Sequence, residues 1–133
     1  MTAILYVEDD ARSRKVMNLL LRGSTGLSEV TILENSEDFL TKAQAMKPAP
    51  DVIFLDIHVQ PHNGFEMLKM LKADPMLKGV PVVALTASVM NEEIDQLRQA
   101  GFDGCLAKPI DADSFPETLE RIKGGEFVWQ IIN

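Results

Sequence analysis

A chain of 133 residues with a formal charge of −7 has room for one ordinary hydrophobic core, and its acidity argues against unassisted binding to nucleic acid or an anionic membrane. Its 46% hydrophobic and 25% charged residues are those of a globular domain, and no apolar run approaches the ~20 residues of a membrane helix. The single cysteine, Cys105, cannot form an internal disulfide, and Met1-Thr2-Ala3-Ile4-Leu5 enters a strand pattern with no basic leader, so the expectation is a cytoplasmic protein.

Ala3-Ile4-Leu5-Tyr6-Val7 is a continuous apolar run followed by three acids, Glu8-Asp9-Asp10, that suit a helix cap and first turn. The apolar residues between Arg12 and Arg22 predict a helix closed by Gly23. Glu29 to Leu33 alternates as a half-buried strand. Asn35 or Ser36 is a candidate cap for a helix reaching Met46, stopped by Lys47-Pro48-Ala49-Pro50. Asp51-Val52-Ile53-Phe54-Leu55-Asp56 reads as a strand buried on both faces that ends on an acid. A loop to Asn63 leads to a helix opened by Gly64 and ended at Asp74-Pro75. Val80 to Leu85 is a buried strand followed by Thr86-Ala87-Ser88, and Asn91 is the expected cap of a helix through Ala100. Phe102 to Ala107 is a fifth strand, broken by Lys108-Pro109. Asp111 to about Lys123 is a fifth helix, with Pro116 tolerable only in its first turn.

Strand and helix alternate five times, which predicts an α/β fold: a doubly wound, five-stranded parallel sheet with five helices over its two faces. In the flavodoxin-like strand order 2-1-3-4-5, ligands bind beyond the carboxyl ends of the strands, where the first and third strands are neighbours. Every strand but the second delivers a polar group there: Glu8 and Asp9, then Asp56, then Thr86 with Ser88 two on, then Lys108. Three carboxylates in one cleft repel, and a divalent cation resolves the repulsion; an all-oxygen site with room for water suits Mg²⁺. A metal, a lysine and a hydroxyl around one carboxylate are equipment for phosphoryl transfer to that carboxylate. Cysteine–histidine triads and glycine-rich phosphate loops have no support in the chain.

Taken in order, Ile4-Leu5-Tyr6-Val7-Glu8-Asp9-Asp10, Asp51 through Asp56 with Gly64 eight residues on, Ala84-Leu85-Thr86-Ala87 and Ala107-Lys108-Pro109 resemble the receiver domain of two-component response regulators. The resemblance runs over residues 3 to about 123 and implies a stand-alone, chemotaxis-regulator-like module occupying 1–123, with 124–133 as an apolar tail. It implies that Asp56 is the phosphoacceptor and that Glu8 and Asp9 form the acidic pair of the Mg²⁺ site. Asp9 would ligate directly, Glu8 largely through water, and the His58 backbone carbonyl would be a further ligand. Thr86 and Lys108 would hold the phosphoryl group, and the Lys108–Pro109 peptide would be cis. A sensor histidine kinase or phosphotransfer protein would donate, and the output would be a contact with a downstream protein through the region of Asn91–Ala100 and Asp111–Lys123, with no nucleic acid or membrane involved. Arg12 and Pro109 would border the donor's approach.

Two positions depart from the family pattern. The proline expected four residues after the phosphoacceptor is displaced to Pro61, with Gln60 in its place, while the spacing to Gly64 is kept. Cys105 stands where the family often carries an aromatic switch residue, so a ring-flip readout is lost there. Its bland reading is a small core residue, and the side chains of His58 and His62 read as loop groups. Two other functions fit the fold: a phosphorylation-independent adaptor and a Mg²⁺-dependent aspartyl phosphatase, the latter disfavoured because His58 occupies the position of its second acid. The tail Glu126 to Asn133 is too apolar for a free end. The residues leave open whether it folds back on its own domain, pairs with a partner edge or joins a second copy in a homodimer.

Overall fold

Runs of uniformly buried residues make the central strands. Every position of β1 (Ala3–Val7), β3 (Val52–Asp56) and β4 (Val82–Thr86) is buried, because helices cover both faces of the sheet. The computed structural model describes residues 2–87 and 90–130. In chain order β1 is followed by α1 (Ala11–Leu19), β2 (Glu29–Leu33), α2 (Phe39–Gln44), β3, α3 (Gly64–Ala73), β4, α4 (Asn91–Ala100), β5 (Gly104–Ala107), α5 (Phe115–Lys123) and β6 (Val128–Gln130). All pairings are parallel and the strand order is β2-β1-β3-β4-β5-β6, the anticipated order with a sixth strand added at the β5 edge.

Strand alternation sorts the core into two layers. Leu5, Val7, Ile53, Leu55 and Ala84 meet α2, α3 and α4 through Phe39, Met67, Leu71, Ile94 and Leu97. Ile4, Tyr6, Phe54, Leu85 and Leu106 meet α1 and α5 through Met17, Phe115, Leu119 and Ile122. On the first side Phe65 and Phe102 pack edge to face at 5.8 Å, and on the second Phe54 and Phe115 lie 6.1 Å apart.

Several boundaries differ from the sequence expectation, each for a local reason. The first helix is α-helical only to Leu19 and then widens into a π turn over Leu20–Ser24, with Thr25 N–H donating to the Leu20 carbonyl at 3.1 Å. The wider turn lets the consecutive Leu20 and Leu21 both enter the core. Neither Asn35 nor Ser36 caps α2: the cap is Asp38, in the left-handed region at φ 53°. Asn35 instead accepts from Glu37 N–H. Met90, not Asn91, precedes the first turn of α4. The fifth helix starts at Phe115 rather than Asp111, since the Asp111 carboxylate takes up Asp113 N–H and the Ser114 hydroxyl in a turn; Pro116 does fall in the first helical turn. Ser88 lies outside the described residues.

Through Gln130 the tail folds back on its own domain. After Gly124-Gly125, Glu126 pairs with Arg121 of α5 and β6 joins β5, bringing Gly104 opposite Val128 and Cys105 opposite Trp129. Val128 enters the α1–α5 layer, while Trp129 packs against the other layer, with the Arg98 guanidinium of α4 4.7 Å from its ring centre. Gly104 makes this approach possible. A Cβ there would lie 3.2 Å from Val128 N and C and closer still to its carbonyl oxygen, so backbone would have to move.

Covered by β6, Cys105 is fully buried, and that burial pushes its thiol up to about 11 from an ordinary 9.0. The folded-state value lies above the unfolded one, so the thiol favours the fold fully below pH 9.0 and this contribution is lost as pH rises through about 11. Gly104→Ala is expected to cost about 1–3 kcal/mol in chemical denaturation. At pH 8 iodoacetamide should label Cys105 slowly in the native protein and markedly faster in Gly104→Ala, with a red shift of Trp129 fluorescence; equal labelling rates would show that β6 does not protect this edge.

Candidate functional site

The carboxyl ends of β1, β3, β4 and β5 bring Glu8, Asp56, Thr86 and Lys108 to one edge of the sheet. Register fixes the arrangement: Val7 lies beside Leu55, Asp56 beside Leu85, and Thr86 beside Ala107. Each polar group ends or immediately follows a buried strand, so its backbone is held by the ladder while its side chain reaches the crevice.

Lys108 is the cation of the site. Its Nζ lies 2.6 Å from Glu8 Oε1 and 3.5 Å from Asp56 Oδ2. Burial acts to lower the lysine's pKa, but the bond to Glu8 and the charges of Asp56 and Glu8 overcome it, and the net direction is upward. Glu8 has no solvent exposure. Desolvation, and then its contact with Asp56, push its carboxyl above the ordinary range against the opposing pull of Lys108. The Lys108–Pro109 peptide is cis, as the resemblance implied.

Ligand oxygens of Glu8, Asp9 and Asp56 all lie within 4.8 Å of one another. Asp9 is exposed while the other two are buried, so the cluster opens to solvent on the Asp9 side. An all-oxygen donor set with one open side fits Mg²⁺, which takes a few carboxylates and keeps several waters. Asp10 stands apart from it: its carboxylate caps α1 by accepting from Ser13 N–H and Oγ, and those bonds hold its pKa below the usual value.

The loop after Asp56 is shaped by contacts the sequence did not advertise. His58 N–H donates to Asp56 Oδ1 at 3.2 Å, and Gly64 N–H to the Ile57 carbonyl at 2.9 Å. A side chain at Gly64 would meet Ile57 Cδ1 at 2.7 Å and Ile57 Cα at 3.0 Å, which explains why a glycine stands eight residues past the acid. The displaced proline is accommodated by a cis Gln60–Pro61 peptide. Buried Ser36 pins the same stretch: its N–H donates to the Gln60 carbonyl at 3.1 Å, and its hydroxyl lies 2.6 Å from both His62 N and His62 O. Ser36 therefore organises the loop rather than a helix end. The His62 ring faces Glu66, 3.8 Å away.

Thr86 is buried on the other face of the sheet, where it lines a cavity of about 70 Å³ with His58, Phe65, Glu93 and Leu97. Cys105 is one strand further out and fully buried under β6. On the α1 side, a cleft of about 200 Å³ bordered by Arg12, Val16, Lys108, Pro109 and Ile110 reaches the lysine.

Two residues at the centre were hidden in the sequence. Tyr6 sits inside an apolar run, yet its hydroxyl donates to Glu8 Oε1 at 2.9 Å. Arg14 Nη1 donates to the Glu8 carbonyl at 2.9 Å. The period-two rule carried the first signal, since Tyr6 and Glu8 share a face of the strand.

Known proteins give the same picture. Residues 4–120 match the response regulator receiver domain family. The polar-differentiation response regulator DivK of Brucella anthropi is 31% identical over 122 residues, 92% of this chain and 96% of DivK. The chemotaxis response regulator CheY4 of Vibrio cholerae superimposes with a TM-score of 0.80 at 27% identity, over 92% of this chain and 98% of that one. The receiver domain of the sensor histidine kinase PA1611 of Pseudomonas aeruginosa, solved with magnesium in its active-site cleft, gives 0.81 at 28% identity over the same shares. With the family matched along most of its length, this chain belongs to the response regulator receiver domains, the phosphoacceptor modules of two-component signalling.

Proposed function

We propose that Asp56 is the phosphoacceptor, on the strength of one observation above the others: a lysine and two further acids converge on it, with Lys108 Nζ 3.5 Å from Oδ2 and carboxylate oxygens of Glu8, Asp9 and Asp56 within 4.8 Å of one another. A carboxylate oxygen of Asp56 attacks the phosphorus of a phosphohistidine on a sensor kinase or phosphotransfer protein. The new O–P bond makes an acyl phosphate, the P–N bond breaks, and the imidazole leaves with the electron pair. Glu8, Asp9, Asp56 and the His58 carbonyl would hold Mg²⁺, which when bound would offset charge on the phosphoryl oxygens. Lys108 turns from Glu8 to the phosphoryl group, and the Thr86 hydroxyl bonds it from the opposite face. These bonds bias a two-state equilibrium of the β4–α4 region, and the output is a protein contact in which α4 and α5 take part.

The cleft beside Lys108 supports the approach of the donor on the α1 side. Arg12 and Pro109 border it, and Val16 and Leu19 of α1 are 46% and 61% exposed, an apolar strip suited to a partner helix. Likeness over 96% of DivK, itself a response regulator, supports an output carried by contacts of the receiver fold. With Cys105 buried beneath β6, the readout passes through contacts other than a switch aromatic at that position.

Incubation with Mg²⁺ and acetyl phosphate should add one phosphoryl group by mass spectrometry, and Asp56→Asn should add none. Failure of the native protein to take up phosphoryl would favour the adaptor reading. Lys108 and a bound cation neutralise the same acids, so Lys108→Met is expected to bind Mg²⁺ more tightly in calorimetry. In metal-free buffer it should lose about 3 kcal/mol of stability, because Glu8 is left buried without a counter-charge. An unchanged Mg²⁺ affinity would mean that the two cations do not compete.

A further inference from the structure

A buried phenol needs an acceptor, and the one that Tyr6 has chosen is unusual in its position. The ring is 1% exposed, packed in the layer between the sheet and α1–α5. Its hydroxyl lies 2.9 Å from Glu8 Oε1, the same oxygen that Lys108 Nζ approaches to 2.6 Å. The backbone of Glu8 is tied on both sides, its N–H to the Leu33 carbonyl at 3.0 Å and its carbonyl to Arg14 at 2.9 Å. Oε2 receives a long 3.3 Å bond from Asp10 N–H. One oxygen of this acid is thus held by two donors inside the protein, and the other keeps spare capacity for a cation or its water.

The two donors on Oε1 have different fates. If Lys108 turns to a phosphoryl group on Asp56, the carboxylate loses the lysine while still at a position with no solvent exposure. The tyrosine hydroxyl belongs to a ring packed in the core and stays. We propose that Tyr6 is a positioning residue of the phosphoryl-accepting site, whose hydroxyl fixes the direction of Glu8 and so keeps its second oxygen available to the divalent cation, with or without Lys108 in contact. The inference rests on the reading of Glu8, Asp9 and Asp56 as the cation site and Asp56 as the acceptor.

Tyr6→Phe removes one oxygen and leaves the packed ring, which makes it the direct test. Residues that orient a metal ligand typically matter by 10–100-fold in metal affinity, so Mg²⁺ measured by calorimetry on the unphosphorylated protein should bind on the order of tenfold more weakly. Phosphoryl uptake from acetyl phosphate should need correspondingly more Mg²⁺ for half-saturation yet reach the native rate once saturated. A change in packing alone would lower the melting temperature without that split. In a Glu8→Ala background the hydroxyl has no side-chain acceptor at position 8 to hold, and the same substitution should then leave Mg²⁺ affinity unchanged. Equal Mg²⁺ affinity for the native protein and Tyr6→Phe, or an equal loss in both backgrounds, overturns the role of Tyr6 while leaving the phosphoacceptor reading standing. Absence of phosphoryl uptake by the native protein overturns that reading itself.

Discussion

The ammonium of Lys108 lies between two buried carboxylates, and the carboxyl edge of the sheet is organised around that fact. Glu8 is sealed from solvent and Asp56 nearly so, at 5% exposure. Burying an ion costs several kcal/mol even after relaxation, and the cost is recovered only where geometry is good and the remaining lone pairs are occupied. Here Tyr6 and the lysine meet Oε1 of Glu8, and His58 N–H and the lysine meet the two oxygens of Asp56. Parallel strands make this affordable in chain terms: the ladder has already fixed the backbones of residues a hundred positions apart, so bringing the charges together orders little more of the chain.

A single cation shared by two acids is also a poised arrangement. Lys108 is closer to Glu8 than to Asp56, 2.6 Å against 3.5 Å, so the resting bond favours the acid that is not the proposed acceptor. On the proposed reading, charge placed on Asp56 would pull the lysine the other way, and Glu8, Asp9 and Asp56 would hold a cation that offsets the charge of the acid the lysine leaves. Electrostatics of this kind need little motion to change which pairs are satisfied, as a two-state switch requires.

Much of this was legible in the sequence because the informative residues stand at strand ends. Continuous apolar runs gave β1, β3 and β4, and the acid or hydroxyl that stopped each run pointed to the candidate site. What was missed had partners that its own residue type does not announce. Tyr6 counts as apolar inside an apolar run, and only a partner two residues on reveals its hydroxyl. Ser36 looks like any helix cap until its contacts with His62, 26 residues away, are known. The third misreading was Asp111, where local side-chain bonds compete with the helix for the same backbone donors. β6 is three residues long, too short for a period. The clue to it was Gly104, a glycine inside a strand, which marks close approach of another backbone.

Alternation also divides the site between the two faces of the sheet. Lys108 opens into the cleft bordered by Arg12 and Val16 of α1, whereas Thr86 lines the cavity against Glu93 and Leu97 of α4. On the proposed reading, a phosphoryl group on Asp56 sits at the rim and is held from both faces at once: by charge on the side where the donor arrives, and by a hydroxyl on the side where α4 lies. That split lets one small group connect an entry surface to an exit surface through a rigid sheet, with no deformation of the sheet itself. α4 in turn carries Arg98 over Trp129 of β6, so in this chain the helix beside Thr86 packs against a strand of the tail, and any displacement of α4 must either carry that strand with it or break the stacking contact.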